Sequence, residues 1–122
     1  MSTLNVSNIT DGTDTVGTSY VLNGSAKSWV NFQGTSTVTI RESLNISSIT
    51  DVANGIYQAN FSSGMTSANY AALLGSNSMV YDQGTLQDTT TSTYVGIKVQ
   101  DGSVSSFIDA AIVTAGTYGD LA

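Results

Sequence analysis

Three consecutive runs carry the strongest folding signal in the chain: Ala26-Lys27-Ser28-Trp29-Val30-Asn31-Phe32-Gln33-Gly34-Thr35, Val38-Thr39-Ile40-Arg41-Glu42-Ser43-Leu44-Asn45-Ile46-Ser47-Ser48-Ile49-Thr50-Asp51, and Asn54-Gly55-Ile56-Tyr57-Gln58-Ala59-Asn60-Phe61. Their apolar residues recur at every second position, the period at which a strand turns one face to a core. Ser28, Val30 and Phe32 fall on one face, and Lys27, Trp29, Asn31 and Gln33 on the other. After Gly34, Val38, Ile40 and Leu44 share a face with Glu42, while Thr35, Thr37, Thr39 and Arg41 form a Thr-rich surface suited to solvent or to another subunit. An irregularity is expected at Ser47-Ser48. Asn54-Gly55 supplies the positive φ angles of a tight hairpin, whose second arm gathers Tyr57, Ala59 and Phe61 on one side. Val30, Phe32, Val38, Ile40, Tyr57 and Phe61 are the expected inward residues.

Upstream, Leu4 to Ile9 alternates as a short leading strand able to belong to a neighbour, Asp11-Gly12-Thr13-Asp14 is turn-rich, and Val16 to Ser25 is looser. Residues 1–25 therefore read as an N-terminal arm for attachment or interface, and 26–122 as one β domain. Downstream, Gly64 and Gly75 bracket a segment, Met65 to Leu74, whose length suits a strand better than a helix. Ser78 to Tyr81 reads as a strand, and Asp82 to Ser92 as an exposed loop. Tyr94 to Val99 alternates, Asp101-Gly102 is a second hairpin turn with Ser103 to Val113 as its return arm, and Thr114 to Ala122 reads as a small, polar tail. Roughly eight to ten short strands and no convincing helix point to an all-β chain, an antiparallel β-sandwich or jelly-roll-like domain.

Composition narrows the chemistry. The 122 residues carry a net charge of −6, only 10% of them are charged, and Lys27, Arg41 and Lys98 are the only cations. Binding to nucleic acid needs a Lys/Arg surface, so no nucleic-acid partner is expected. With neither His nor Cys, Ser-His-Asp and Cys-His catalysis, disulfides and His-based zinc sites fall away. Glu42 is the acid that alternation places beside apolar residues, but a place at a strand end or bulge, with a structural ion pair to Arg41, Lys27 or Lys98 within the chain or across a subunit boundary, is preferred to catalysis. Asp11 to Asp14 brings oxygen ligands together as calcium sites do, without the spacing of an EF-hand loop, and turn chemistry is preferred. No cofactor, no signal peptide and no membrane insertion are expected. Trp29, on the more polar face, reads as an intersubunit contact rather than a sugar-stacking platform.

The combination of Ala26 to Phe32, Gly34-Thr35, Ile40-Arg41, Ser43, Asn45, Ser47 to Asp51, Gly55, Tyr57, Asn60-Phe61 and Ala68-Asn69-Tyr70 resembles a module of small fibre and appendage proteins of tailed, especially marine, bacteriophages. The opening Met1-Ser2-Thr3-Leu4 with Val6 is similar to the start of such proteins. Relatives tend to have a proline between Met65 and Ala68, which this chain lacks, and its second half matches less clearly. The resemblance implies a non-enzymatic virion structural protein, homotrimeric, assembled in the host cytoplasm, forming a tail-fibre or appendage module that contacts other virion proteins and a host surface glycan or protein. A capsid decoration or head-fibre role is the alternative, and a polysaccharide-cleaving appendage enzyme is the reading from another class. Leu4, Val6, Ile9, Trp29, Arg41 and Glu42 are the interface candidates, and Asp82, Gln83, Gly84, Gln87 and Asp88 the candidates to face a receptor.

Overall fold

The computed structural model describes residues 1–77, 85–87, 90–100 and 106–122, with backbone alone at 85–87. The elements in chain order are β1 (Asn8–Thr10), β2 (Thr15–Gly17), α1 (Thr18–Gly24), β3 (Ser28–Gln33), β4 (Thr39–Leu44), β5 (Ile46–Ala53), β6 (Ile56–Phe61), β7 (Ala71–Ser76), β8 (Thr85–Gln87), β9 (Tyr94–Val99) and β10 (Val113–Tyr118). The chain is all-β apart from this one short helix among the described residues. Every strand pairing is antiparallel: β1 with β2, a four-stranded sheet in the order β4-β3-β10-β7, and a second in the order β5-β6-β9-β8.

The two four-stranded sheets share one core. Alternation puts Val30 and Phe32 of β3 and Val113 and Ala115 of β10 inward from the first sheet; Tyr57, Ala59 and Phe61 of β6 and Val95, Ile97 and Val99 of β9 come from the second. Phe32 meets Tyr57 edge to face at 5.2 Å between ring centroids, and Phe61 meets Tyr70 likewise at 5.6 Å, the geometry that ring quadrupoles favour. Val38 and Ile40 pack partly buried against this core, so the six expected inward residues all join it.

Two local devices set the geometry. Asn45 takes φ 56° between β4 and β5, the left-handed region that Asn tolerates better than most residues. Its side chain donates to Lys27 O and Ser63 O and accepts from the Ser63 N–H, pinning the corner where the chain leaves one sheet for the other. At the expected irregularity, the β5–β6 register slips between Ile46 and Ser48. A second slip, in the β3–β4 ladder, pairs Asn31 with Glu42 but Phe32 with Ile40, passing over Arg41. Because side chains alternate, that bulge reverses which β4 residues face inward. Ser43 is half-buried while Glu42 and Leu44 are exposed. The expected common inward face of Val38, Ile40, Glu42 and Leu44 is thus corrected after Ile40.

Three further expectations change. Thr18–Gly24 is a helix where a loose segment was expected; it is short, has no side-chain N-cap and buries no residue. The Thr114–Ala122 tail instead contributes a central strand, β10, which lies between β3 and β7. Among the described residues, the segment expected to return along β9 meets it at the Gln100–Phe107 bridge and through Ile108 N–H to Val99 O, before Val113 enters the other sheet. Ser78 to Tyr81 and the Asp101-Gly102 turn lie outside the described residues.

Thr117 can occupy a core position in β10 because its hydroxyl sits 2.6 Å from that of Ser28, both residues being buried. Removing one partner strands a buried polar atom, whereas removing both does not. Ser28→Ala is expected to cost about 1–2 kcal/mol, and Ser28→Ala with Thr117→Val to cost less than Ser28→Ala alone. Urea denaturation of Ser28→Ala, Thr117→Val and the double variant measures the coupling, and simple additivity of the two changes would refute it.

Candidate interaction surface

The outer faces of the two sheets differ in chemistry. On the second sheet, Asn60 donates to the Thr50 and Ser48 hydroxyls across β5 and β6, a polar patch on the outward face. On the first, the register aligns Leu44, Trp29, Gly116 and Leu73 in a single row across β4, β3, β10 and β7. Trp29 is 39% exposed, Leu44 48% and Leu73 65%. Gly116 between Trp29 and Leu73 leaves the row without a side chain there, and a Cβ at that position would meet only Ser28 O, at 3.9 Å. An apolar row of this length on a sheet face is what an interface strip looks like.

Charge borders the row. Trp29, Asn31 and Gln33 project from the same face of β3, and Arg41 reaches over it, donating to Asn31 Oδ1 (3.2 Å), Gln33 Oε1 (3.4 Å) and Ala111 O (2.7 Å). Glu42 is exposed beside Asn31. No ion pair joins it to Arg41 or Lys27, and it lacks the burial a general acid requires. Leu44 and Leu73 were not among the sequence candidates. The β4 bulge hid Leu44, and Leu73 needed the β7 register, which local sequence does not carry.

The arm is the second apolar surface. β1, β2 and α1 contact one another, and no residue of 1–25 is buried. Leu4, Val6, Ile9, Val21 and Leu22 line one groove of about 490 Å³. At the β1–β2 turn Asp11 Oδ1 accepts from the N–H groups of Thr13 and Asp14. These bonds hold its carboxyl below the usual carboxylate range, the Asp14 amide first and the Thr13 amide second. The acid pair expected to form a turn therefore does so, and among the described residues no three metal-ligating side chains converge. At the other end of the arm, Ser25 N–H and Oγ bond to Val21 O, while Lys27 Nζ donates to Leu22 O and Ser25 O, closing the last turn of α1.

Of the residues expected to face a receptor, Asp82, Gln83, Gly84 and Asp88 lie outside the described residues, and Gln87 is described only as backbone in β8, whose pairing with β9 corrects the expected Asp82 to Ser92 loop at 85–87. No described helix is long and apolar enough to cross a membrane. Compared with family models, curated proteins and solved structures, the chain matches none.

Proposed function

We propose that this chain is a non-enzymatic structural subunit of a tailed-phage particle: a β-sandwich or jelly-roll-like domain assembled as a homotrimer, serving in a tail fibre or appendage. The observation that carries the reading is the exposed apolar row Leu44–Trp29–Leu73 across the outer face of the β4-β3-β10-β7 sheet, a surface made for contact with protein. The residue pattern from Ala26 to Tyr70 supplies the phage setting. Contact with a host-surface glycan or protein through the Asp82 to Asp88 stretch belongs to the same proposal.

Immunogold labelling of intact particles tests it. Label on tail fibres or appendages is the expected result. Label confined to capsid capsomers would replace it with a decoration role, and particles free of label would overturn the virion assignment altogether.

A further inference from the structure

We infer that the N-terminal arm of one copy seats on the outer face of the β4-β3-β10-β7 sheet of a second copy, its groove closing over the Leu44–Trp29–Leu73 row. The inference rests on the homotrimer of the proposed function and names the surface that builds it.

Four observations lead there. The arm does not stabilise itself: a seven-residue helix with no buried residue and a hairpin of two three-residue strands both fall below what is stable alone in water. Its apolar side chains line a groove, while those of the sheet stand in a row on an open face, so the two shapes are complementary. The surface area agrees. The chain exposes 7297 Å², whereas a compact monomer of 12.6 kDa exposes roughly 6,200 Å². Summed over the whole chain, the surplus of roughly 1,100 Å² is as large as the roughly 800 Å² that one partner loses in a standard interface.

Charge chooses the partner. Residues 1–25 contain Asp11 and Asp14 and no Lys or Arg. Arms packed on one another would bring like charges together, whereas Arg41 reaches over the sheet face and Lys27 stands at the start of β3, with Glu42 the one acid in the strands of that sheet. The contact is made in trans. Lys27 ties the end of α1 to the start of β3, and in the folded chain α1 packs on β2 rather than on the strands that carry the row, so the arm leaves its own row open to another copy. A groove on one copy meeting a row on the next is a heterologous contact, and three such contacts around an axis close into a ring.

Light scattering on the full chain, with Trp29 emission read in the same samples, tests the inference. Trp29 is the single tryptophan, so its emission reports the row directly. The expected result is a closed oligomer at micromolar concentration, with emission shifted to shorter wavelength and shielded from acrylamide relative to the dilute chain. Leu22→Asp in the groove and Leu73→Asp on the row should each weaken assembly at least about thirtyfold. Both positions are exposed, so far-UV circular dichroism should not change, and Leu73→Ala serves as a milder second variant. Mixed together, the two Asp variants should form a one-to-one pair, since each retains the half the other has lost. A wild-type monomer would overturn both this inference and the trimer. An oligomer that survives Leu22→Asp, or one whose Trp29 stays open to quencher, would overturn the arm contact while leaving the trimer standing. A mixture that fails to pair would do the same.

Discussion

Gly55→Ala is expected to destabilise the chain by at least about 3 kcal/mol, and Gly12→Ala by only about 1 kcal/mol, although both glycines have positive φ. Gly12 sits at φ +99° with nothing within 4 Å of an added Cβ, so alanine there meets only backbone strain. Gly55 sits at φ +67°, and its Cβ would fall 2.6 Å from both Ile108 N and Ile108 O and 2.7 Å from Val99 O. These are backbone atoms and cannot swing aside. Relief requires the 107–109 segment to withdraw, breaking the bond from Ile108 N–H to Val99 O, and Gly55 to back away from Val99, breaking the bond from Val99 N–H to Gly55 O. It also strains the 2.7 Å bond from Gly55 N–H to Asp109. Urea denaturation followed by far-UV circular dichroism gives both values. Equal losses at the two glycines would show that backbone angle alone governs Gly55, and would sink the close-approach argument.

That contrast also marks what could be read from sequence. Asn54-Gly55 announced its hairpin because the turn chemistry is local, and β3, β6 and β9 announced their inward faces because large apolar residues alternate there. β10 was illegible for a physical reason: its inward set is Val113, Ala115 and Thr117, and the last two look like tail residues until Thr117 is seen paired with buried Ser28. The helix α1 gave no 3.6-residue apolar period, being only seven residues long, and it is held by the Ser25 and Lys27 bonds at its C-terminus. A strand end or bulge was the expected setting of Glu42, but nothing in Ile40-Arg41-Glu42 chooses between the two; the pairing of Phe32 with Ile40 makes it a bulge. Of the surface, Leu4, Val6, Ile9, Trp29, Arg41 and Glu42 were legible as candidates and are all exposed. Leu44 and Leu73, which extend Trp29 into a row, depend on register between distant strands.

Tyr57 is where a single change should cost most. Its ring is fully buried against Phe32, and its hydroxyl lies 2.7 Å from Asp109 Oδ1 and 3.0 Å from Gly34 O, with one proton to donate between them. Asp109 also accepts from Gly55 N–H, so the phenol ties the 107–110 segment to both turns. Tyr57→Phe should cost about 2 kcal/mol, as loss of a hydrogen bond to a charged group does, and Tyr57→Ala about 5 kcal/mol, because a cavity is added. The pH dependence follows from the same contacts. Burial first, and the Asp109 carboxylate second, push the Tyr57 phenol well above its ordinary value, and burial pushes Tyr70 up to about 12. A raised folded value means the stabilisation is complete below the unfolded tyrosine value near 10, and is lost as pH rises beyond it toward the folded values. Between pH 10 and 12 the wild-type chain should therefore lose stability with each added unit. Tyr57→Phe should lose about 1.4 kcal/mol less per unit over that range, starting from its lower stability at neutral pH. Urea midpoints across the alkaline range measure both slopes, and parallel slopes would show that Tyr57 is not protonated in the folded chain while free to ionise in the unfolded one.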